Sequence, residues 1–350
     1  MEIWESYIED NWRMAHTNVT LAEVAHAAGV SLKTASRVLA GEPHVAPKTR
    51  ERVLKQARVL GYRRNTAASL LASGQQADHM TVITADMTNP FYASLAQGVE
   101  ECARKRHMVL SLSSSGEDAD TEWELAKAAA RQRSRALIVV SSMEESSRYL
   151  DLLRTGMAIV FVDREPRGIQ ADAVVLDNLA GGSMAATHLL GHGHRHIAYV
   201  GDYEWLPTQQ ARREGFARVM EQAGVRGWES LIRTGAHDVE GARLITRELL
   251  QRSDPPTAFV GGNNRSALAI LHEVHEHYPD EQSPAVLGFD DVEWASVLGM
   301  SVVAYDPVDI GRQAANLALS RIENPDREPR VVRLPVSLTE RGSGERPPYW

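Results

Sequence analysis

Between Val19 and Leu39 the chain runs VTLAEVAHAAGVSLKTASRVL, and this stretch constrains the rest. Thr20 and Glu23 stand at the S/T-x-x-E spacing of a capping box, so a helix is predicted to begin at Leu21. Leu21, Val24, Ala25 and Ala28 then repeat as one buried stripe. Gly29 suits the left-handed conformation that ends such a helix. Ser31 caps a second predicted helix, Leu32 to Leu39, whose Ala35, Val38 and Leu39 face inward. Leu32, Lys33, Thr34, Ser36 and Arg37 are left for the outer surface. Two readings of the pair stand at this point: a helical hairpin within a core, or a helix-turn-helix that offers its second helix to a DNA major groove.

Composition supports the second. The chain has 350 residues, enough for a small module and a two-lobed core, and a formal net charge of −8. Residues 16–75 hold nine Lys and Arg against three Asp and Glu, a net of +6, so the remainder carries −14. A basic head on an acidic body is the asymmetry expected when one end alone meets phosphate. No apolar run has the length of a membrane span, and MEIWESYIEDNWRMAH lacks the pattern of a signal peptide, so the expected location is the cytoplasm. A single cysteine, Cys102, excludes a disulfide framework and reads as a small core side chain.

The stretch VTLAEVAHAAGVSLKTASRVLAG resembles the DNA-reading segment of the lactose-repressor (LacI/GalR) family, whose pattern is close to VTLxDVAxxAGVSxxTVSRVLNG. The resemblance implies a helix-turn-helix transcription regulator, acting as a homodimer on palindromic double-stranded operator DNA and most often a repressor controlled by a small-molecule effector. Thr20, Ser31, Leu32, Lys33, Thr34, Ser36 and Arg37 fall on the DNA-contacting segment, with Leu32, Lys33 and Arg37 nearest base edges and Arg37 alternatively on phosphate.

The domain organisation expected is an extension over 1–15, read as a disordered tail, a helix-turn-helix domain over 16–61, a hinge over 62–79 and a core over 80–345. Met14 precedes the family-like start, which leaves a later initiation site open. A third helix is predicted from Pro47 to about Leu60, closed by Gly61, with Val53, Leu54, Ala57 and Leu60 inward. Ala46 replaces a usual Ser cap, and His44 and Lys48 are candidates for phosphate. The hinge carries Asn65, Ala68 and Leu71; by resemblance Leu71 is a wedge between base pairs and Ala68 permits close approach of a paired helix. Arg64 in place of a usual Pro, and apolar Leu70 and Ala72, depart from the pattern.

From Met80 apolar runs alternate with helical stretches, nine candidate strands in all, which means parallel α/β sheets and too many strands for one sheet of ordinary width. The resemblance implies a doubly wound, two-lobed periplasmic-binding-protein-like core, with lobe 1 at about 80–176 and 305–333 and lobe 2 at about 177–304 and 334–345.

Ligands of open parallel sheets gather beyond the carboxyl ends of strands. That rule selects Asp86 to Tyr92, Asp163 and Arg164, Asn263 and Asn264, and Asp290 and Asp291. The segment Asp86–Tyr92, DMTNPFY, resembles PDxxNPFF of the family, with Asn89 a polar contact and Phe91 and Tyr92 aromatic faces for a sugar. VDR resembles the carboxylate–guanidinium pair that grips ring hydroxyls, TQQARREGF places Arg212 at an anchor position, and Asp290 matches a hydroxyl acceptor. Asp306 stands where relatives often have Gln. A neutral polyol or furanose-like sugar is the first reading of the effector, with a cation near Asp306 and a purine as alternatives.

GHGHRH over 191–196 and the His272, His275, His277 group read as helix-end and surface histidines rather than metal ligands, since a site needs converging ligands. No phosphate-binding loop, nucleophile elbow, HExxH or CxxC is present, so neither catalysis nor a cofactor or metal is expected. A solute-binding protein would share the two-lobed body but needs an export signal and no basic head.

Overall fold

A computed structural model of the chain describes residues 19–62, 77–279 and 282–348. It divides into two compact units, Met1–Gln76 and Ala77–Trp350. The N-terminal extension and the hinge residues Asn65, Ala68 and Leu71 lie outside the described residues.

In the first unit three helices follow one another: α1 Leu21–Ala27, α2 Leu32–Leu39 and α3 Pro47–Val59. The capping box is present in both directions. Glu23 N–H donates to Thr20 Oγ1 over 3.3 Å, and Thr20 N–H donates to Glu23 Oε2 over 2.6 Å. Ser31 Oγ accepts Thr34 N–H at 3.2 Å to start α2, while Gly29 and Gly61 turn the chain at φ +60° and +68°. Ala46 makes no side-chain cap bond; Pro47 begins α3 without one. Val24, Ala25, Ala28, Ala35, Val38, Val53 and Ala57 form the core, and Leu39, expected inward, is only half-buried at its edge.

The second unit contains two six-stranded sheets. The first is β11-β5-β4-β3-β1-β2 in spatial order, all parallel: Ala77–Thr84 (β1), Val109–Ser114 (β2), Ser134–Val139 (β3), Ala158–Val162 (β4), Asp172–Leu176 (β5) and Val331–Leu334 (β11). The second is β12-β10-β9-β8-β6-β7: Ile197–Val200 (β6), Ile232–Arg233 (β7), Ala258–Gly261 (β8), Ala285–Phe289 (β9), Ser301–Ala304 (β10) and Ser337–Thr339 (β12), the last antiparallel to β10. The nine expected strands are all present. The three additional ones, β7, β11 and β12, are edge strands too short or too exposed to leave an apolar run. Polypeptide passes from one sheet to the other after Leu176, Ala304 and Leu334.

Helices cover both faces of each sheet. In lobe 1, α4 Pro90–Lys105 and α12 Pro307–Glu323 lie against one face, and α5 Ala119–Arg131 and α6 Leu150–Arg154 against the other. In lobe 2 the pairs are α7 Asn178–Gly191 with α8 Pro207–Gln222, and α9 Val239–Leu250 with α10 Asn264–His277; α11 Glu293–Val297 is a short addition. Each lobe seats one helix pair through reciprocal glycines. A Cβ on Gly182 would stand 1.9 Å from Arg212 O, and one on Gly215 2.0 Å from Leu179 O. In lobe 1, Gly98 meets Val308 O and Gly311 meets Leu95 O, each at 2.0 Å. These approaches bring the helix bearing Arg212 onto the one that starts with Asn178.

Because backbone and not a flexible side chain blocks the added methyl, Gly182→Ala should lower unfolding free energy by about 1–3 kcal/mol in urea titration. Gly191→Ala, with nothing within 4 Å of the new carbon, should cost less than about 0.5 kcal/mol.

Candidate functional site

On the first unit, α2 presents Leu32 at 53% exposure, beside exposed Lys33 and Ser36. The hydroxyls of Thr20, Ser31 and Thr34 are engaged in the two caps: Thr20 bonds Glu23, and Ser31 Oγ lies 2.9 Å from Thr34 Oγ1. Arg37 Nε donates to Glu42 Oε2 at 3.0 Å, an exposed pair that a phosphate or base edge can replace at little cost. His44, with φ +70°, and Lys48 are both exposed on the turn into α3.

The second site lies between the lobes of the core, where the strand ends converge. A narrow space of about 60 Å³ is lined by Asp86, Asn89, Phe91 and Tyr92 from lobe 1, Asp163 and Arg164 after β4, and Arg212, Asn263 and Asp290 from lobe 2. Glu117, Asp202, Leu206, Thr208, His237, Arg265 and Tyr305 also line it. Two expected residues take other places. Asn264 does not line the space; its Nδ2 reaches across to Asn89 Oδ1 at 2.9 Å. Asp306 is not among the residues lining the space: its Oδ1 accepts Val308 N–H at 2.9 Å and Asp309 N–H at 3.2 Å, because a carboxylate at a helix start is drawn to the unpaired amides.

The charges are arranged by burial. Arg164 is 4% exposed and is held by Glu117, with Nη2 to Oε1 at 2.5 Å and Nη1 to Oε2 at 2.7 Å, and it donates to Ser141 O at 2.8 Å. Asp163, its sequence neighbour, is 3.8 Å away and is not its hydrogen-bond partner. Arg212 donates through Nε to Asn178 Oδ1 and through Nη1 to Gly262 O, both at 2.7 Å, and its guanidinium lies 4.4 Å from the Phe289 ring centre. Asp290 accepts Asn264 N–H at 3.0 Å and the Tyr305 hydroxyl. Asp86 is taken by Thr88 and by Arg265, which thereby ties the lobes. Asp202 accepts His237 Nδ1 at 2.9 Å and Asn263 Nδ2 at 2.8 Å, and the His237 ring stacks on Tyr203 at 4.6 Å; the carboxylate raises the imidazole's pKa.

Asp163 differs from all of these. Among the described residues its carboxylate receives no hydrogen bond from the chain, although it is 8% exposed and its backbone is left-handed at φ +69°. Burial pushes it up to about 6, against the pull of Arg164 and Arg212. An enclosed acceptor with vacant lone pairs is suited to a donor brought by a ligand.

Glu117 and Asp202 escaped the sequence reading although each follows a strand, β2 and β6; the rule that selected the others selects them as well. His237 and Arg265 carried no such signal. The GHGHRH histidines are structural: His194 is fully buried between Thr257 Oγ1 and Arg346 O, both at 2.8 Å. His272 lies near Glu273 and Glu276, but Glu273 is committed to Arg243 and Arg247.

Since the folded state holds the Asp163 proton more tightly than the open chain does, stability should fall as pH rises from about 4 through about 6. Asp163→Asn should therefore raise unfolding free energy by about 1–3 kcal/mol near neutral pH and by nothing measurable at about pH 4. Urea titrations at the two pH values read both.

Comparison with known proteins gives two family matches. Residues 20–65 match the model for bacterial regulatory proteins, lacI family, and residues 186–344 that for a periplasmic binding protein-like domain. The chain is 31% identical over 306 residues to the HTH-type transcriptional regulator GalS of Salmonella typhimurium, covering 86% of this chain and 89% of that one. Among solved structures it resembles the transcriptional regulator CelR–cellobiose complex, with TM-score 0.69, 27% identity and coverage of 93% and 99%. It shares its fold with the lac repressor dimer bound to operator and the anti-inducer ONPF, with TM-score 0.79, 21% identity and coverage of 94% and 99%.

Proposed function

This chain belongs to the LacI family of bacterial regulatory proteins, and we propose that it is a repressor whose grip on operator DNA is set by a neutral carbohydrate held between its lobes. It is a DNA-binding transcription regulator, and its relatives are regulators rather than enzymes. The single observation that carries the effector reading is Asp163: a buried carboxylate that accepts no hydrogen bond among the described residues, its nearest charge Arg164 Nε at 3.8 Å. A ligand hydroxyl satisfies that acceptor. An anionic ligand would bring like charge towards Asp163, which is unfavourable in a desolvated site. Phe91 and Tyr92 supply ring faces of the kind that sugar C–H surfaces stack on, and the likeness to cellobiose-bound CelR supports the same class.

At the other end, two copies of α2 would enter successive major grooves, with Leu32 on apolar base edges and Lys33 and Arg37 on base or phosphate. His44 and Lys48 would contact phosphate, and Asn65, Ala68 and Leu71 the minor groove. No helix among the described residues is long and apolar enough to cross a membrane. The cytoplasm, where operator DNA lies, is the proposed location.

Coupling requires that ligand and operator prefer different lobe arrangements. The lobes are drawn together by Arg265 on Asp86 and Thr88, Asn264 on Asn89, and Arg167 on Gln210 at 3.2 Å. Asp86 and Asn89, which these bonds engage, also line the space between the lobes, so a ligand there competes with the ties.

The division of labour is testable on the full chain. Arg37→Ala should weaken binding to a selected operator, measured by fluorescence anisotropy, by about tenfold while sparing sugar-induced thermal stabilisation. Arg212→Ala should abolish the stabilisation and leave operator affinity without ligand near wild type. Equal losses in both assays would refute the assignment, as would a purified protein that prefers no duplex over competitor DNA.

A further inference from the structure

The end of lobe 1 opposite the cleft, where its strands begin, carries a charge pattern that the fold does not require. The connections into β2 and β3, residues 104–108 and 131–135, read RKRHM and RQRSR: six Lys and Arg and no Asp or Glu. The strand order β3-β1-β2 sets them on either side of the start of β1, with Ser134 beside Ala77 and Val109 beside His79. At about 4.8 Å between neighbouring strands, the two turns stand about 10 Å apart. Lobe 2 repeats the topology as β8-β6-β7, and its equivalent connections, 221–231 and 251–257, hold Arg226 and Arg252 against Glu221, Glu229 and Asp254. Helix ends favour cations in both lobes alike, so the helix dipole does not account for a cluster in one lobe alone.

We propose that this rim is a second DNA-binding surface, which takes the backbone phosphates of duplex flanking the operator. The proposal has operator binding by the head as its premise and adds a sequence-independent contact outside it. Arg104 pairs with Glu100 at 3.1 Å, Arg106 with Glu323 at 2.9 Å and Arg135 with Asp78 at 3.4 Å, surface pairs that a phosphate can replace at little cost. Lys105, Arg131 and Arg133 have no ion pair among the described residues. Five of the six cations are arginines, whose planar fork matches a phosphate. Arg133 stands at φ +57°, in the left-handed position after α5 that Gly29, Gly61 and Gly224 fill after α1, α3 and α8. A charged side chain is thus kept where glycine would be unstrained. No residue of 104–107 or 131–133 is apolar, whereas a protein partner docks on a surface with an apolar core. Ala77 is also where the chain arrives from the head. The 15 steps from Tyr62 to Ala77 span at most about 50 Å, so flanking duplex lies within the tether's range. A width of about 10 Å covers roughly three phosphates of one strand.

Fluorescence anisotropy of the full-length protein tests this with an operator selected from random duplex, either bare or extended by about 15 base pairs on each side, between about 50 and 200 mM salt. The extended duplex should bind about tenfold more tightly at the lower salt, and log K should fall with log salt more steeply by about 0.9 for each phosphate contacted. Lys105→Gln, Arg131→Gln and Arg133→Gly combined should abolish both differences while leaving affinity for the bare operator and melting temperature close to wild type. Arg133→Gly alone should remove part of the gain, with a melting temperature unchanged or higher. Arg226→Gln with Arg252→Gln in lobe 2 should keep the full gain, which separates the rim from net charge. Equal binding of bare and extended duplex, or a gain that survives the triple variant, overturns the second surface and leaves operator binding by the head intact. Rim-dependent binding of polyglutamate with no effect of the flanks assigns the rim to an acidic protein and overturns it likewise. Binding of neither duplex overturns the operator reading and this proposal with it.

Discussion

Burial of charge at the carboxyl ends of the strands is the constraint on which the core is built. Arg164, Arg212, Asp163 and Asp290 are all less than a tenth exposed, and removing ions from water is tolerable only where each finds compensation. Glu117 compensates Arg164, and behind it Ser142 donates to Glu117 at 3.2 Å and Ser141 to Glu122 at 2.8 Å. Glu122 is itself fully buried and also accepts the Tyr149 hydroxyl at 2.6 Å. Beneath the ligand cleft of lobe 1 there is thus a polar scaffold that holds one guanidinium in place. Lobe 2 uses neutral partners instead: an amide and a backbone carbonyl orient Arg212, and the glycine contacts between α7 and α8 bring them within reach.

Within that arrangement Asp163 accepts no hydrogen bond among the described residues, and its cost to the folded chain is what a bound ligand can relieve. A site that is destabilising when vacant binds its ligand with correspondingly greater effect, the usual trade between stability and function. The ties between the lobes act in the same direction. Arg265 and Asn264 join lobe 2 to lobe 1 through the very residues, Asp86 and Asn89, that line the cleft. Ligand contacts and the ties between the lobes therefore draw on the same residues.

The helical head was legible almost residue by residue, because its signals are local. A capping box, a glycine at positive φ and a proline at a helix start act within four residues of themselves, and α1 and α2 begin where those signals stand. The central strands were legible for a related reason: strands buried on both faces must be apolar throughout. The edge strands β7, β11 and β12 were not, since exposure on one side removes that requirement. Of the cleft, the strand-end rule found Asp86, Asp163, Arg164 and Asp290 but passed over Glu117 and Asp202, which obey it equally.

By itself, then, the sequence determined the head, the alternation that makes two parallel sheets, and the set of polar residues delivered to the strand ends. Tertiary structure alone decided how those residues pair. Resemblance set Asp163 and Arg164 together on a ligand, yet the guanidinium hydrogen-bonds Glu117, 47 positions away, and stands 3.8 Å from the Asp163 carboxylate. Asp306, placed by resemblance in the cleft, caps the first amides of α12. Helix caps and buried strands are set by forces that decay within a turn or a strand's width. Ion pairing in a desolvated cleft depends on which groups the folded backbone brings within about 3 Å, and no linear pattern records that distance.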